Sequence, residues 1–153
     1  MERKPLKRHK ALQPLSRDHH HGLLLSWKIR TGFTKNISAT RIKAYADWFY
    51  EHHLIPHFEM EETHIFPLLD ANNELTKKAL ADHRRLKRLF TKESNVEKAL
   101  SSIEEELEKH IRFEERILFP EIQKIATESQ LNFIEKIHRA ESFIDNLEDE
   151  FWK

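Results

Sequence analysis

Residues 94–118, SNVEKALSSIEEELEKHIRFEERIL, decide the predicted fold, because their stripe of core-facing positions repeats every three or four residues. This spacing is that of one face of an α-helix, which buries such a stripe against its neighbours. Ser94 and Glu97 form a capping-box pattern that predicts the start of the helix. The stripe consists of Val96, Leu100, Ile103, Leu107, His110, Glu114 and Ile117. The helix therefore carries a histidine and a carboxylate, one turn apart, on its buried face.

An earlier segment repeats this polar pattern. HFEMEETHIFPLL (57–69) and HIRFEERILFPEI (110–122) share the pattern H-x3-E-E-x2-(I/L)-F-P. In both, the histidine and the first glutamate are four residues apart, which directs the two side chains to the same side of a helix. His57 and Glu61 are therefore predicted to face inward in the same way as His110 and Glu114.

The rest of the chain also reads as helix, with two glycines and no strand pattern. The predicted helices span approximately residues 16–32, 38–67, 73–90, 94–118 and 127–152. The first begins with Ser16 as its N-cap, and the second is predicted to be kinked by Pro56. The last opens with a second capping box, formed by Thr127 and Gln130.

Short connections between these helices favour antiparallel packing of successive helices. The predicted fold is all-α: an up-and-down antiparallel four-helix bundle over residues 12–123, with an additional C-terminal helix. That last helix, residues 127–152, is expected to pack on the bundle or at a homodimer contact.

The composition limits the chemistry that the chain can perform. It has no cysteine among 153 residues, which excludes disulfides, thiolate zinc sites and cysteine-held clusters and fits a cytoplasmic protein. Lys plus Arg equals Asp plus Glu, at 26 each, so no nucleic-acid partner is expected. No segment is long and apolar enough to span a membrane, so no membrane partner is expected. A bound metal must use imidazole and carboxylate ligands.

Each of the first four predicted helices directs a histidine inward. His19 is in phase with Leu15 and Leu23 on the first helix, with His20 as the alternative if the helix is rotated, and His83 lies on the apolar face of the third. A buried carboxylate needs a proton or a cation, so we predict a metal site. The candidate ligands are His19, His57, Glu61, His83, His110 and Glu114. Six ligands suit two ions bridged by the carboxylates, which favours a di-iron centre, with manganese or zinc as alternatives.

Four acids stand next to these inward residues in the sequence: Asp18, Glu62, Asp82 and Glu115. Because adjacent residues of a helix point in different directions, the acids are predicted to cap helices, form ion pairs or face solvent. Orientation of neighbouring ligands is the alternative for Asp18 and Asp82. His53 is predicted to be either an outer partner of the site or a surface residue.

These motifs resemble those of the hemerythrin-like (HHE cation-binding) domain family. The resemblance rests on the two repeated strings, on LSRDHHHGL in the first helix and on ADHRRLKRL in the third, and it covers about residues 12–123. It implies a four-helix bundle around a non-haem di-iron centre that uses the six candidate ligands, with Glu61 and Glu114 bridging. In the oxygen carriers of this family the second acid comes five residues after the histidine, so Glu115 is the alternative ligand. Those carriers also have a histidine where this chain has Lys87.

The resemblance implies a metal-binding protein that binds or senses dioxygen, peroxide or nitric oxide. One alternative is a di-iron enzyme of oxidase or peroxidase type, and another is a metal-dependent regulatory interaction module. Lys87→His is predicted to fill an open coordination position. The expected partners are a small diatomic ligand or peroxide, and a second copy of the chain in a homodimer.

Overall fold

The computed structural model describes residues 7–138 and 143–153, and within these ranges the regular structure is helical, without a β-strand. The α-helices are α1 (Gln13–Thr34), α2 (Ala39–Phe49), α3 (Ile55–Met60), α4 (Glu74–Phe90), α5 (Val96–Phe113), α6 (Phe119–Ile125) and α7 (Glu128–Ile137). The predicted all-α class is confirmed. Among the described helices, none is both long enough and apolar enough to cross a membrane.

Wide π-helical turns continue several of these α-helices without a break. They are Tyr50–Leu54, Glu61–Ile65 and Glu114–Leu118. A proline stands two residues after the end of each: Pro56, Pro67 and Pro120. Proline lacks an N–H group and its ring collides with the carbonyl four residues earlier, and a wider turn relieves both problems. The disturbance predicted at Pro56 is thus a π turn within a helical run from residue 39 to residue 65.

The helices pack against partners that are distant in sequence, with α5 in contact with α1, α2 and α4. Their buried faces form two apolar clusters, one containing Leu25, Ile29, Phe49 and Leu100 and the other containing Leu12, Leu15, Ile65 and Phe119. Burial of each such side chain contributes about 1.5–3 kcal/mol. Phe58 of the first cluster and Phe66 of the second both contact the ring of His83. A polar layer therefore lies between the two apolar clusters.

Two predicted helix starts are wrong and one is confirmed. No capping box precedes α5, because Asn95 occupies the cap position with a positive φ of 50°. Asparagine tolerates this left-handed backbone better than most residues. The first helix begins at Gln13 instead of Ser16, with Pro14 in its first turn, where proline is favourable. The capping box of Thr127 and Gln130 is present as predicted.

The C-terminal helix predicted over residues 127–152 is too long. Helix α7 ends at Ile137, and residues 143–153, which we call the C-terminal strap, form no regular helix. A continuing helical stripe would bury Ile144 and Leu147, but these are 78% and 62% exposed. The strap instead buries Phe151 and packs Phe143 against the first apolar cluster.

A buried lysine explains why the C-terminal strap does not form the predicted helix. The Lys28 ammonium, almost fully buried on α1, donates to Asp145 Oδ2 and to the Tyr45 hydroxyl, each at 2.7 Å. It also lies 4.0 Å from the ring centroid of Trp152. A buried ammonium without a partner is strongly destabilising, so these contacts hold the strap on α1 and α2.

Gly32 lies where α1 approaches the strap. A Cβ atom at this position would lie 2.8 Å from Cδ1 of Ile42 and 2.9 Å from Cε2 of Phe151. We expect Gly32→Ala to lower the free energy of unfolding by about 1–3 kcal/mol, because the overpacking outweighs the gain in helix propensity. Urea unfolding at equilibrium measures this difference.

Gly22→Ala is the matched control on the same helix. Its Cβ would meet Cδ1 of Ile111 at 2.7 Å, but this atom is the mobile end of a side chain. The gain in helix propensity of about 1 kcal/mol offsets the small shift that is required, so stability should change little. Equal losses in the two variants would contradict the packing described for the strap.

Candidate metal centre

The six candidate ligands converge in the polar layer between the two apolar clusters. They form two overlapping groups, His19, His57, Glu61 and Glu114, and Glu61, His83, His110 and Glu114, whose ligand atoms lie within 4.8 Å of one another. All six residues are buried, and the two glutamates have no exposed surface. Because both groups share the two glutamates, the cluster could hold two metal ions with carboxylates between them.

The repeated sequence string is also a repeat in structure. His57 lies on α3 and His110 lies on α5, and the glutamate that follows each is the first residue of a π turn. Nε2 of His57 is 3.2 Å from Oε1 of Glu61, and Nε2 of His110 is 3.4 Å from Oε1 of Glu114. Wide turns of this kind occur often at functional sites. Here they place both carboxylates at the centre of the cluster.

Several buried polar atoms at this centre have no hydrogen-bond partner. They are both carboxylate oxygens of Glu61, Oε2 of Glu114, and Nε2 of His83 and His110. In addition, Nε2 of His57 faces Nε2 of His19 at 3.2 Å, so two imidazole nitrogens converge on one point. An unsatisfied buried polar group costs about 1–3 kcal/mol. Cations bound between these atoms would satisfy them, and imidazole with carboxylate suits iron, manganese or zinc.

A ring of four outer acids surrounds the cluster, each on the Nδ1 side of one histidine. The pairs are Asp18 with His57 at 3.0 Å, Glu62 with His83 at 3.0 Å, Asp82 with His110 at 2.9 Å and Glu115 with His19 at 3.6 Å. Each acid belongs to one helical run and its histidine to the next, so the ring closes. A carboxylate at Nδ1 holds the proton there and directs Nε2 inward, as in metal-ligating histidines.

The ring agrees with the ion pairs predicted for Glu62 and Glu115, but it differs from the capping or solvent role predicted for Asp18 and Asp82. The geometry supports the alternative predicted for Asp18 and Asp82, which is the orientation of a ligand. Each of these acids, however, orients a histidine on a neighbouring helix instead of the histidine next to it in the sequence. Asp18 lies on α1 directly before His19, yet its carboxylate accepts from His57. In a set of packed helices, the residue next to an inward position in the sequence faces the adjacent helix. The adjacency of each acid to an inward residue is the sequence signal that could have predicted the ring.

The structure also separates the predicted ligands from their alternatives. His19 is buried and stacks on Phe119, with ring centroids 5.3 Å apart, whereas His20 is exposed. Glu114 is buried at the centre, whereas Glu115 lies at the rim and accepts a hydrogen bond from Ser16. Lys87 is exposed, and the filling of a coordination position by Lys87→His stays a prediction.

Protons balance the buried carboxylates in the metal-free chain. Burial lowers the pKa of His57, but the charge of Glu61 and the hydrogen bond to Asp18 outweigh this and raise the pKa well above its usual value. For His110, burial is likewise outweighed, chiefly by the charge of Glu114, and the pKa rises to about 10. Burial raises the pKa of Glu114, yet the charge of His110 brings this pKa well below its ordinary value. The site therefore attracts positive charge.

The outer acid Asp82 provides a test of the ring. We expect Asp82→Asn to weaken metal binding about 10–100-fold, because the variant keeps the size of the side chain but no longer holds His110 through a charged acceptor. Competition with a chelator of known affinity measures the change. Glu93→Gln, at an exposed acid in the turn before α5, is the control. Equal affinities for the two variants would show that the outer acids do not support the ligands.

Comparison of the chain with protein-family models, with curated proteins and with solved structures gave no match. The buried cluster of histidines and glutamates therefore supports a candidate metal site on its geometry alone.

Proposed function

We propose that this chain is a non-haem di-iron protein of the hemerythrin-like type, which binds or senses dioxygen, peroxide or nitric oxide. The observation that carries the proposal is the pair of ligand groups that share two fully buried glutamates. Two histidines and two carboxylates for each ion give a mixed nitrogen and oxygen ligand set, which suits iron. Bound iron would supply redox chemistry and an open position for a small ligand.

The proposal assigns a role to each group of residues. His19 and His57 hold one ion, His83 and His110 hold the other, and Glu61 and Glu114 bridge them. The outer acids orient the imidazoles, while the apolar clusters on both sides limit the access of water.

An up-and-down four-helix bundle is part of this proposal. The ring of acids supports it, because each acid pairs with the histidine of the next helical run in chain order and the last pairs with the first. Antiparallel neighbours with short connections produce such an order around a common axis. Ligands from facing helices of a bundle are the usual way to build a carboxylate-rich metal site in its core.

Anaerobic loading with ferrous iron tests the proposed function. After removal of unbound metal, we expect about two irons per chain, and exposure to dioxygen should produce the near-ultraviolet absorption of a coupled ferric pair. Parallel loading with manganese and with zinc identifies the preferred metal. A chain that retains no iron, or that retains one zinc ion in preference to iron, would contradict the proposal.

A further inference from the structure

The four imidazoles of the cluster are not held equally on their outer sides. Nδ1 of His57, His83 and His110 each lies 2.9–3.0 Å from a carboxylate oxygen, which is within hydrogen-bond distance. Nδ1 of His19 is buried and has no hydrogen-bond partner among the described residues. The nearest acid, Glu115, stays 3.6 Å away, which is too far for a hydrogen bond. One histidine of the four therefore lacks the outer bond that orients the others.

Two other side chains hold the Glu115 carboxylate. Its Oε2 atom accepts a hydrogen bond from Oγ of Ser16 at 3.0 Å and lies 3.5 Å from Nη2 of Arg8. This oxygen is the same one that approaches His19. Nη2 of Arg8 also donates to the backbone carbonyl of Glu115 at 2.6 Å. The acid on the outer side of His19 is thus bound by Ser16 and Arg8 instead.

The position of Arg8 is itself fixed by contacts with the helices. Its Nη1 atom donates to Oε1 of Gln123 at 3.2 Å, and its guanidinium lies 5.4 Å from the ring centroid of Phe119. The other face of the contact is the metal cluster, because Phe119 stacks on His19. The segment that precedes α1 therefore reaches the cluster through Arg8 and determines where Glu115 lies.

This difference concerns only one of the two ion positions. We call the position at His19 and His57 the α1 position, and the position at His83 and His110 the α4 position. Both histidines of the α4 position bond to outer carboxylates, whereas only one histidine of the α1 position does. An outer carboxylate fixes the orientation of an imidazole and raises its basicity as a ligand, and its loss weakens metal binding about 10–100-fold.

We propose that the α1 position holds the more readily exchanged ion of the pair. Arg8 and Ser16 are the positioning residues, and they act on this ion by withholding the Glu115 carboxylate from its histidine. The inference rests on the proposed function, because it requires two bound ions. It adds that the α4 position fills first as metal is supplied, and that the α1 position empties first as metal is removed.

Anaerobic titration calorimetry of the metal-free protein with ferrous iron tests the inference. Two binding steps are expected, with dissociation constants that differ about 10–100-fold. Ser16→Ala and Arg8→Gln should each lower the larger dissociation constant about tenfold and leave the smaller one unchanged, because the released carboxylate can then bond to His19. Arg17→Gln, at an exposed residue next to Ser16 on α1, is the control and should change neither constant.

A double variant separates this role from a general effect on the fold. When Glu115→Gln is added to Ser16→Ala, most of the gain in affinity should disappear, because a neutral amide is a weaker acceptor than a carboxylate. A gain that persists in the double variant overturns the inference. So does an equal change of both dissociation constants in the single variants, since Arg8 and Ser16 would then not act on one position.

Anomalous diffraction from crystals loaded with a single equivalent of iron identifies the position that fills first. We expect one peak, beside His83 and His110. Peaks of equal height at the two positions, or a peak only beside His19 and His57, overturn the inference but leave the proposed function, which requires only that both positions bind iron. A chain that retains no iron overturns both.

Discussion

Glu114→Ala is expected to abolish the binding of both metal ions, because Glu114 belongs to both ligand groups. Its Oε1 atom lies 2.9 Å from Nε2 of His19 and 3.4 Å from Nε2 of His110, on the two sides of the cluster. Removal of this carboxylate also leaves the imidazole of His19 without its acceptor. We expect the loss of affinity to exceed the roughly 10–100-fold effect of removing an outer acid. Elemental analysis after iron loading and desalting measures the remaining metal.

Glu115→Ala is the matched control, since it removes the adjacent glutamate of the same string. This carboxylate is partly exposed, and its nearest contact with the cluster is 3.6 Å from Nδ1 of His19. The variant should still bind two ions, and its affinity should fall by about 100-fold at most, as expected for the loss of an outer acid. If Glu115→Ala loses the metal and Glu114→Ala keeps it, the inward position on this helix has been assigned to the wrong residue.

Removal of the metal is expected to cause a large loss of thermal stability. A ligand at 100 times its dissociation constant stabilises a folded protein by about 2.7 kcal/mol, so two ions contribute about 5 kcal/mol. For a chain of this length, each kcal/mol changes the melting temperature by roughly 2–4 °C. We therefore expect chelation to lower the melting temperature by about 10–20 °C, as measured by circular dichroism.

This loss should increase with pH. In the metal-free chain the pKa of His110 is raised to about 10, and that of His57 is also raised. The stabilisation from these protons is complete below the unfolded pKa of about 6.5 and disappears as the pH rises through the folded pKa. Bound metal replaces the protons, so the metal-loaded protein lacks this dependence. Between about pH 6.5 and pH 9, the melting temperature should therefore fall more for the metal-free than for the loaded protein. Equal slopes would contradict this exchange.

The inward residues of the candidate site could be predicted from sequence because helical phase is a local property. His110 and Glu114 continue the stripe of Ile103 and Leu107, and the structure buries both. The same reasoning separated His19 from His20, since only the former is in phase with the apolar positions of its helix. Phase thus identified the inward histidines and glutamates. It was wrong for Ile117, the last position of the predicted stripe, which is 51% exposed because the π turn at Glu114–Leu118 shifts the phase.

The outer acids could not be assigned in the same way. Helical phase indicates which side of a helix faces inward. Whether Asp82 contacts solvent or His110, however, depends on the position of the adjacent helix. The strap is a second case, because the spacing of Ile144 and Leu147 is helical but both are exposed. There, the contacts of Asp145 with a buried lysine far away in the sequence outweigh local periodicity.

The measurement that tests the central claim most directly is anomalous diffraction at the iron edge from crystals of the iron-loaded protein. Two peaks inside the cluster are expected, one beside His19 and His57 and one beside His83 and His110, with Glu61 and Glu114 between them. A single peak, or iron bound only outside this cluster, would contradict a pair of ions bridged by the two glutamates.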